Sequence, residues 1–408
     1  MADHYSRRSF LSGVLACGTL SASAIYLLPG GRSLPSVELR LITGVDPTGA
    51  RDLLINMWNR ANPRTTVRAI NPIASGSGDE RTSMLSHVED GGADILNLDI
   101  IDIPEFADND LITPIPLLGR LEFVEPARRT SQLRDEPDLY WAAPFNTDVG
   151  MLFRRRADER DTTRRRGLAE VLDNDVPVES GQFVGQLQPN ASTYDEAFVV
   201  NVLEHALSRD ETILAEDGTV SEDLERWQAA LGPLKAAIDD RRIRLTGDEN
   251  ESRRVFTMEK RRYMRNWPVE YRELQQDGDL DVGMGRIEVD PLPIGILGGQ
   301  SLALVKGSSH AERVREFIDF MTDEPAQKIL AAHGLAPARI SAYGDDNLQA
   351  VIPHLLKVRQ AVERARLRPI HVNYRRFAEV VRTHVGGLLH EQRRLSAQFV
   401  VEMTQALS

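Results

Sequence analysis

One cysteine in 408 residues, Cys17, excludes an intramolecular disulfide and any cysteine-built zinc cage. It sits in the N-terminal segment, so the rest of the chain is cysteine-free. No glycine-rich phosphate loop of the P-loop or dinucleotide type is present. Gly-x-Ser-x-Gly, His-Glu-x-x-His and DxDxDG are equally missing, which removes the commonest nucleotide, esterase, zinc-protease and calcium readings. A surplus of basic charge is lacking too. Asp and Glu number 61 against 49 Lys and Arg, and the net charge of −12 argues against a general nucleic-acid binder. Local runs such as 154–156 and 164–166 are arginines, read as solvated faces. The nine histidines are scattered, and His384 and His390 on one late helical pattern read as packing or surface residues rather than metal ligands. Nothing argues for an enzyme, and neither cofactor nor metal is expected. Aromatics amount to 6%, with only four tryptophans, so the placement of each tryptophan carries information.

What is present begins with an export signal. Residues 6–11 read Ser-Arg-Arg-Ser-Phe-Leu, followed by an apolar stretch to Leu28, the order of a charged region before a hydrophobic one. The adjacent arginines resemble the twin-arginine pattern of bacterial signals. Three endings fit. Val14-Leu15-Ala16-Cys17 resembles a lipoprotein box with Cys17 acylated. Ala22-Ser23-Ala24 offers an ordinary cleavage site. The stretch from Phe10 to Leu28 approaches the ~20 residues that span a bilayer. Each ending places the body outside the cytoplasm.

From residue 36 onward the pattern is strand and helix in alternation. VELRLI (37–42) alternates as a strand, Leu53 to Ala61 recur at helical spacing, and TVRAI follows as a second strand. A helix around 79–89 leads to the buried strand ADILNLD (93–99). This order predicts an α/β fold with a mainly parallel sheet, where ligands bind off the carboxyl ends of the strands. Asp46 and Asp99 fall at those ends. WAAPFNTDVGMLFRR (141–155) reads as an extended crossing, and helical periodicity puts Trp227 in a core. Strand signals return at DVGMGRIEV (281–289) and SLALV (301–305), so the chain is expected to cross between two α/β lobes more than once. Pro325 and Gly334 bracket a further helix, and Phe377 to Leu388 mark a long C-terminal one. The carboxylates Asp94, Asp99, Asp102, Glu105, Asp108 and Asp110 span a strand end and a helix start, where acids serve as caps rather than calcium ligands.

Six segments in order carry a resemblance: NRANPRTTVRAI (59–70), ADILNLDIIDIPEFADNDLITPI (93–115), APFNTDVGMLFRR (143–155), RRYMRNWPVEYREL (261–274), residues 292–339, and ERARLRPIHVNYRRFAEVVRTHV (363–385). Together they resemble the bacterial extracellular solute-binding proteins of sugar ABC importers, closest to the trehalose/maltose-binding type. The resemblance implies a two-lobe periplasmic-binding-protein-like fold with discontinuous lobes: 36–143 plus 287–338, and 144–286 plus 339–408, after a signal or anchor segment over 1–35. It implies a monomer that captures a carbohydrate-like molecule between closing lobes and presents it to a membrane permease. On the family pattern Trp267, in Asn-Trp-Pro, is the sugar-stacking platform. Asp99 and Asp148 are hydroxyl-accepting acids, with Asn146 beside the latter. Arg368, Tyr374, Arg81 and Asp46 fall at or near further contact positions, and Gly299 and Gln300 occupy the Gly-Gly-Trp contact region.

Departures from the pattern matter as much. Gln300, Val269, Asp102 and Asp195 stand where the family has aromatics, which reduces stacking area and suggests a smaller or more polar ligand, cationic if the acids at 46, 99, 102 and 148 are free. The same residues have plainer uses. Trp267 would pack the lobe interface, Asp99 would cap a helix, Asp148 would stabilise a hinge, and Arg368 would pair with Asp148 or Glu363. The alternative function on this scaffold is a surface sensor or interaction module without transport.

Overall fold

The computed structural model describes residues 36–71, 80–157, 167–175, 182–188 and 196–408. The N-terminal segment with Cys17, and Asp195, lie outside the described residues.

Alternating apolar residues build the first strand, Val37–Ile42, which pairs in parallel with Thr65–Ile70 on one side and Ile95–Asp99 on the other. The intervening helix Ala50–Ala61 buries Leu54, Ile55 and Trp58, and the Asn62 N–H closes it on the Trp58 carbonyl. Ile95 to Leu98 are all buried, as expected of a strand covered on both faces. The sheet then turns antiparallel: Leu297–Val305 runs against Ile95–Asp99, and Ala143–Val149 against Leu297–Val305. Ala336–Pro337 and Ile112–Thr113 complete seven strands. A parallel sheet was the expectation, and it holds only for the first three of these strands.

The second sheet has five strands in the order Ile243–Leu245, Phe183–Gly185, Tyr263–Asn266, Met151–Arg155 and Ile287–Pro291. One helix packed against it, Glu196–Leu207, is buried from Phe198 to Leu207, a stretch apolar all round except for Asn201, Glu204 and His205. Asp223 caps the neighbouring helix Leu224–Asp239 by accepting the Glu225 and Arg226 N–H groups, and there Trp227 is fully buried. The C-terminal helices Tyr374–His390 and Ala397–Ala406 pack on one another, and the first of them also packs on Glu196–Leu207.

The chain changes sheet at Gly150, between Val149 and Met151, and returns between Pro291 and Leu297. The expected boundaries at 143/144 and 286/287 therefore do not coincide with the crossings. Ala143–Val149 and Met151–Arg155 are buried almost throughout and separated only by Gly150, so periodicity alone could not mark the change. The strand reading over 281–289 is also corrected: Leu280–Gly283 is a helical turn and the strand is Ile287–Pro291. Among the described residues no helix is long and apolar enough to cross a membrane.

Candidate functional site

The return strand Leu297–Val305 assembles the site, because it lies between the strands that carry the predicted residues. Gln300 stands opposite Asp99 on one side and Asn146 on the other, and Gly298 opposite Asp148. Gly299 between them has φ +127°, and a Cβ there would lie 2.3 Å from the Asn146 carbonyl oxygen. A glycine is required for that close approach, so its place in the site is as backbone. Gln300 accepts a hydrogen bond of 2.8 Å from Asn97, whose amide also reaches Thr43 at 3.1 Å.

The C-terminal segment closes over the Asp99 end of this row. Arg368, buried, donates from Nη2 to Asp99 at 3.2 Å and from Nη1 to Glu196 at 2.5 Å. The Tyr374 hydroxyl donates to the same Glu196 oxygen at 2.5 Å. Burial works to lower the Arg368 pKa, but the Asp99 and Glu196 charges override it and hold it well above the usual value. Burial, then the Glu196 charge, pushes the Tyr374 hydroxyl well up. The next residue, Arg375, donates to both oxygens of Asp102 at 3.0 and 3.2 Å. Two arginines of the C-terminal segment thus reach acids at the end of the first sheet's strand Ile95–Asp99. Arg272, on the helix after Asn-Trp-Pro, adds a third tie by donating to the Thr48 carbonyl at 3.1 Å and the His333 carbonyl at 2.6 Å.

Trp267 flanks the Asp148 end. Its indole N–H donates to Glu249 at 2.9 Å, and the Arg265 guanidinium carbon lies 3.9 Å from its ring centroid. The ring edge approaches Gly298 of the first sheet, 3.8 Å from where a Cβ would stand. Asp148 takes the Val149 N–H at 3.1 Å. Burial pushes its pKa up to about 8; the Val149 bond and Arg265 oppose this, and Glu249 and Glu270 reinforce it. The raised pKa favours the protonated carboxyl, which can donate as well as accept. Glu270 is raised to about 7, again by burial first, against Arg253.

Asp99, Asn146, Asp148, Gly299, Gln300, Trp267, Arg368 and Tyr374 thus come together at the junction of the sheets. Asp46 and Arg81 do not join them. Both Asp46 oxygens are taken in its own turn, by Thr48 and the Arg51 N–H, so it caps a helix. Arg81 is held by both oxygens of Glu105. Of the acids that suggested a cationic ligand, Asp99 is paired with Arg368 and Asp102 with Arg375, Asp46 is engaged in its own turn, and burial favours the protonated form of Asp148. Arg368 pairs with Asp99 and Glu196, not with Asp148 or Glu363. Among the described residues no cluster of three or more metal-ligating side chains occurs. An apolar crevice between Tyr271, Leu335, Ile352 and Leu355 holds His354 tilted against Tyr271 with ring centroids 4.5 Å apart, and offers few convergent polar groups.

Sequence reasoning missed Glu196, Glu249, Arg265, Glu204 and Arg375. Glu204 had a signal: a carboxylate in an otherwise apolar helix implies a buried partner. Arg265, alternating with Tyr263 in a strand just before the tryptophan, was the matching one.

Residues 56–352 match the family model described as bacterial extracellular solute-binding protein. Among solved structures, the chain is similar to maltose-bound MalE3 of T. maritima, with 21% identity over 91% of this chain and 99% of that one, TM-score 0.75. It is similar to the GacH receptor of Streptomyces glaucescens, solved unliganded and with acarbose, with 16% identity over 91% and 98%, TM-score 0.74. The sugar-binding protein MalE from Xanthomonas citri matches with 18% identity over 91% and 96%, TM-score 0.72.

Proposed function

From the premise that this chain belongs to the bacterial extracellular solute-binding proteins, we propose that it is the capture component of an ABC importer. It holds a carbohydrate or related polyhydroxylated small molecule between two lobes, and its role is binding rather than catalysis. The family is one of exported proteins. The lobes are 36–149 with 297–338, and 151–291 with 339–408, divided where the chain changes sheet. The N-terminal segment directs export in the twin-arginine manner, and mass spectrometry of the mature N-terminus distinguishes acylated Cys17 from cleavage after Ala24 or retention.

The observation that carries this reading is the meeting of an indole with hydroxyl-binding groups at the junction of the two sheets. Trp267 supplies an apolar face. Asp148, Glu249, Asn146 and Gln300 supply donors and acceptors within its neighbourhood. Arg368, Arg375 and Arg265 are each matched by a carboxylate, so a neutral ligand fits better than an ionic one. In solved relatives of this fold the bound molecules are maltose and acarbose; a carbohydrate-class ligand is carried over to this chain on that basis.

The test is calorimetric titration of the exported protein with maltose, acarbose, monosaccharides, mannitol and polyamines. Micromolar binding of a neutral member, weakened about tenfold or more by Trp267→Ala, is the expected result. Heat from polyamines alone would overturn the neutral-ligand reading. Silence across the panel from a folded protein would favour a surface sensor or interaction module on the same scaffold.

A further inference from the structure

Arg265 is fully buried beneath the tryptophan, and its position is fixed on every side. Glu204, also fully buried, accepts from Arg265 Nε at 2.6 Å and from Nη2 at 3.0 Å. Nη1 reaches the Gln186 oxygen at 3.4 Å, and that oxygen also accepts from Asn201 at 2.7 Å. The Gln186 amide in turn donates to Ser252 at 3.0 Å and to the Arg265 carbonyl at 3.2 Å. A planar guanidinium held so on its edges can present a face, and that face covers the Trp267 ring at 3.9 Å.

The Glu204 carboxylate is also where both chain crossings rest. On the return, the Ile296 N–H donates to Glu204 Oε1 at 3.2 Å. On the way out, a Cβ at Gly150 would lie 2.2 Å from that same oxygen, so only a glycine lets the crossing sit there. An apolar pair would fill this volume at no cost in desolvation. It could neither bond the crossing backbone nor stack a cation on the indole.

We propose that Glu204 and Arg265 are positioning residues: the pair sets the orientation of the Trp267 platform and joins it to both crossings, so that platform and hinge move as one unit. The Trp267 ring edge faces Gly298 of the opposite lobe, 3.8 Å from where a Cβ would stand, which makes the ring sense that movement. This rests on the reading of Trp267 as the ligand platform, and the test separates the two.

The full chain is produced with 5-fluorotryptophan, giving 19F resonances for Trp58, Trp141, Trp227 and Trp267, with Trp267→Phe for assignment. Arg265→Lys keeps the charge without the plane. Because Arg265→Met leaves Glu204 buried and unpaired, Glu204→Gln with Arg265→Met removes both charges together and preserves folding. The expected result is a shifted, broadened Trp267 resonance in Arg265→Lys and in the double variant, with Trp58 and Trp227 unmoved. Maltose titration is expected to show about tenfold weaker binding in Arg265→Lys. An unchanged Trp267 resonance in the folded double variant overturns the proposal, whether or not maltose binds. A moved resonance with unaltered affinity, or with no maltose binding in the wild type, upholds the positioning geometry and instead overturns the maltose-platform reading.

Discussion

Replacing Asp99 and Asp102 together by asparagine removes the first-lobe ends of two ties while leaving each lobe's core intact. The Arg368–Asp99 pair is the weaker, because the Asp99 side chain is 43% exposed, and is worth about 0.5 kcal/mol. Arg375 makes two bonds to Asp102, whose side chain is 9% exposed, worth about 1.5–2 kcal/mol. Together the two favour the drawn-together lobes by about 2–2.5 kcal/mol, a roughly 30- to 60-fold change in the closed-to-open ratio. Single-molecule energy transfer reads this directly. Cysteines placed at Leu121 and Met258, 73% and 75% exposed on opposite lobes, take the dyes once Cys17 is replaced by serine. Without ligand, the wild type is expected to show mainly the high-transfer population in low salt. That population shrinks as ionic strength approaches 1 M, where the Debye length falls to ~3 Å. The double variant is expected to show little high-transfer population at any salt, with an unfolding midpoint near wild type. Identical transfer histograms for wild type and variant at low salt would refute the reasoning.

Arg368→Ala behaves differently from Asp99→Asn, because it removes the buried guanidinium that pairs with Glu196 and leaves a void beside the buried Tyr374 hydroxyl; a loss of about 3–5 kcal/mol in urea unfolding is expected. Gly299→Ala forces a Cβ to 2.3 Å from the Asn146 carbonyl at φ +127°, and is expected to cost about 2–3 kcal/mol by the same measurement. The pH dependence follows from Asp148, whose native pKa of about 8 lies above its ordinary 3.8. The native state then binds the proton more tightly, so its contribution to stability is largest below about pH 4 and is lost as pH rises to about 8, at up to ~1.4 kcal/mol per unit. Urea unfolding at pH 5.5 and 8 is expected to show a smaller loss in Asp148→Asn than in wild type.

Much of the architecture was legible because burial imposes periodicity. VELRLI, the helix after it, and the apolar run before Asp99 were each placed within a few residues. The crossing at Gly150 was not, since seven extended residues in one sheet pass directly into five in another. For the site, the Asn-Trp-Pro segment pointed to Trp267, a strand end to Asp99, and the family resemblance to Asp148. Asp46 misled, because a strand-end aspartate looks the same in sequence whether it faces a ligand or caps the next helix.

By itself, then, the sequence determined the alternation of strands and helices, the two-lobe expectation and the residue types at the junction, all of which are local in the chain. Tertiary structure alone decided which charges remain free. Arg368 meets Asp99 across 269 positions, Arg375 meets Asp102 across 273, and Arg265 meets Glu204 across 61. Pairings at such separations leave no mark in local pattern, because either partner alone is compatible with its own helix or strand. They convert a cleft that reads as acidic into one whose charges are balanced.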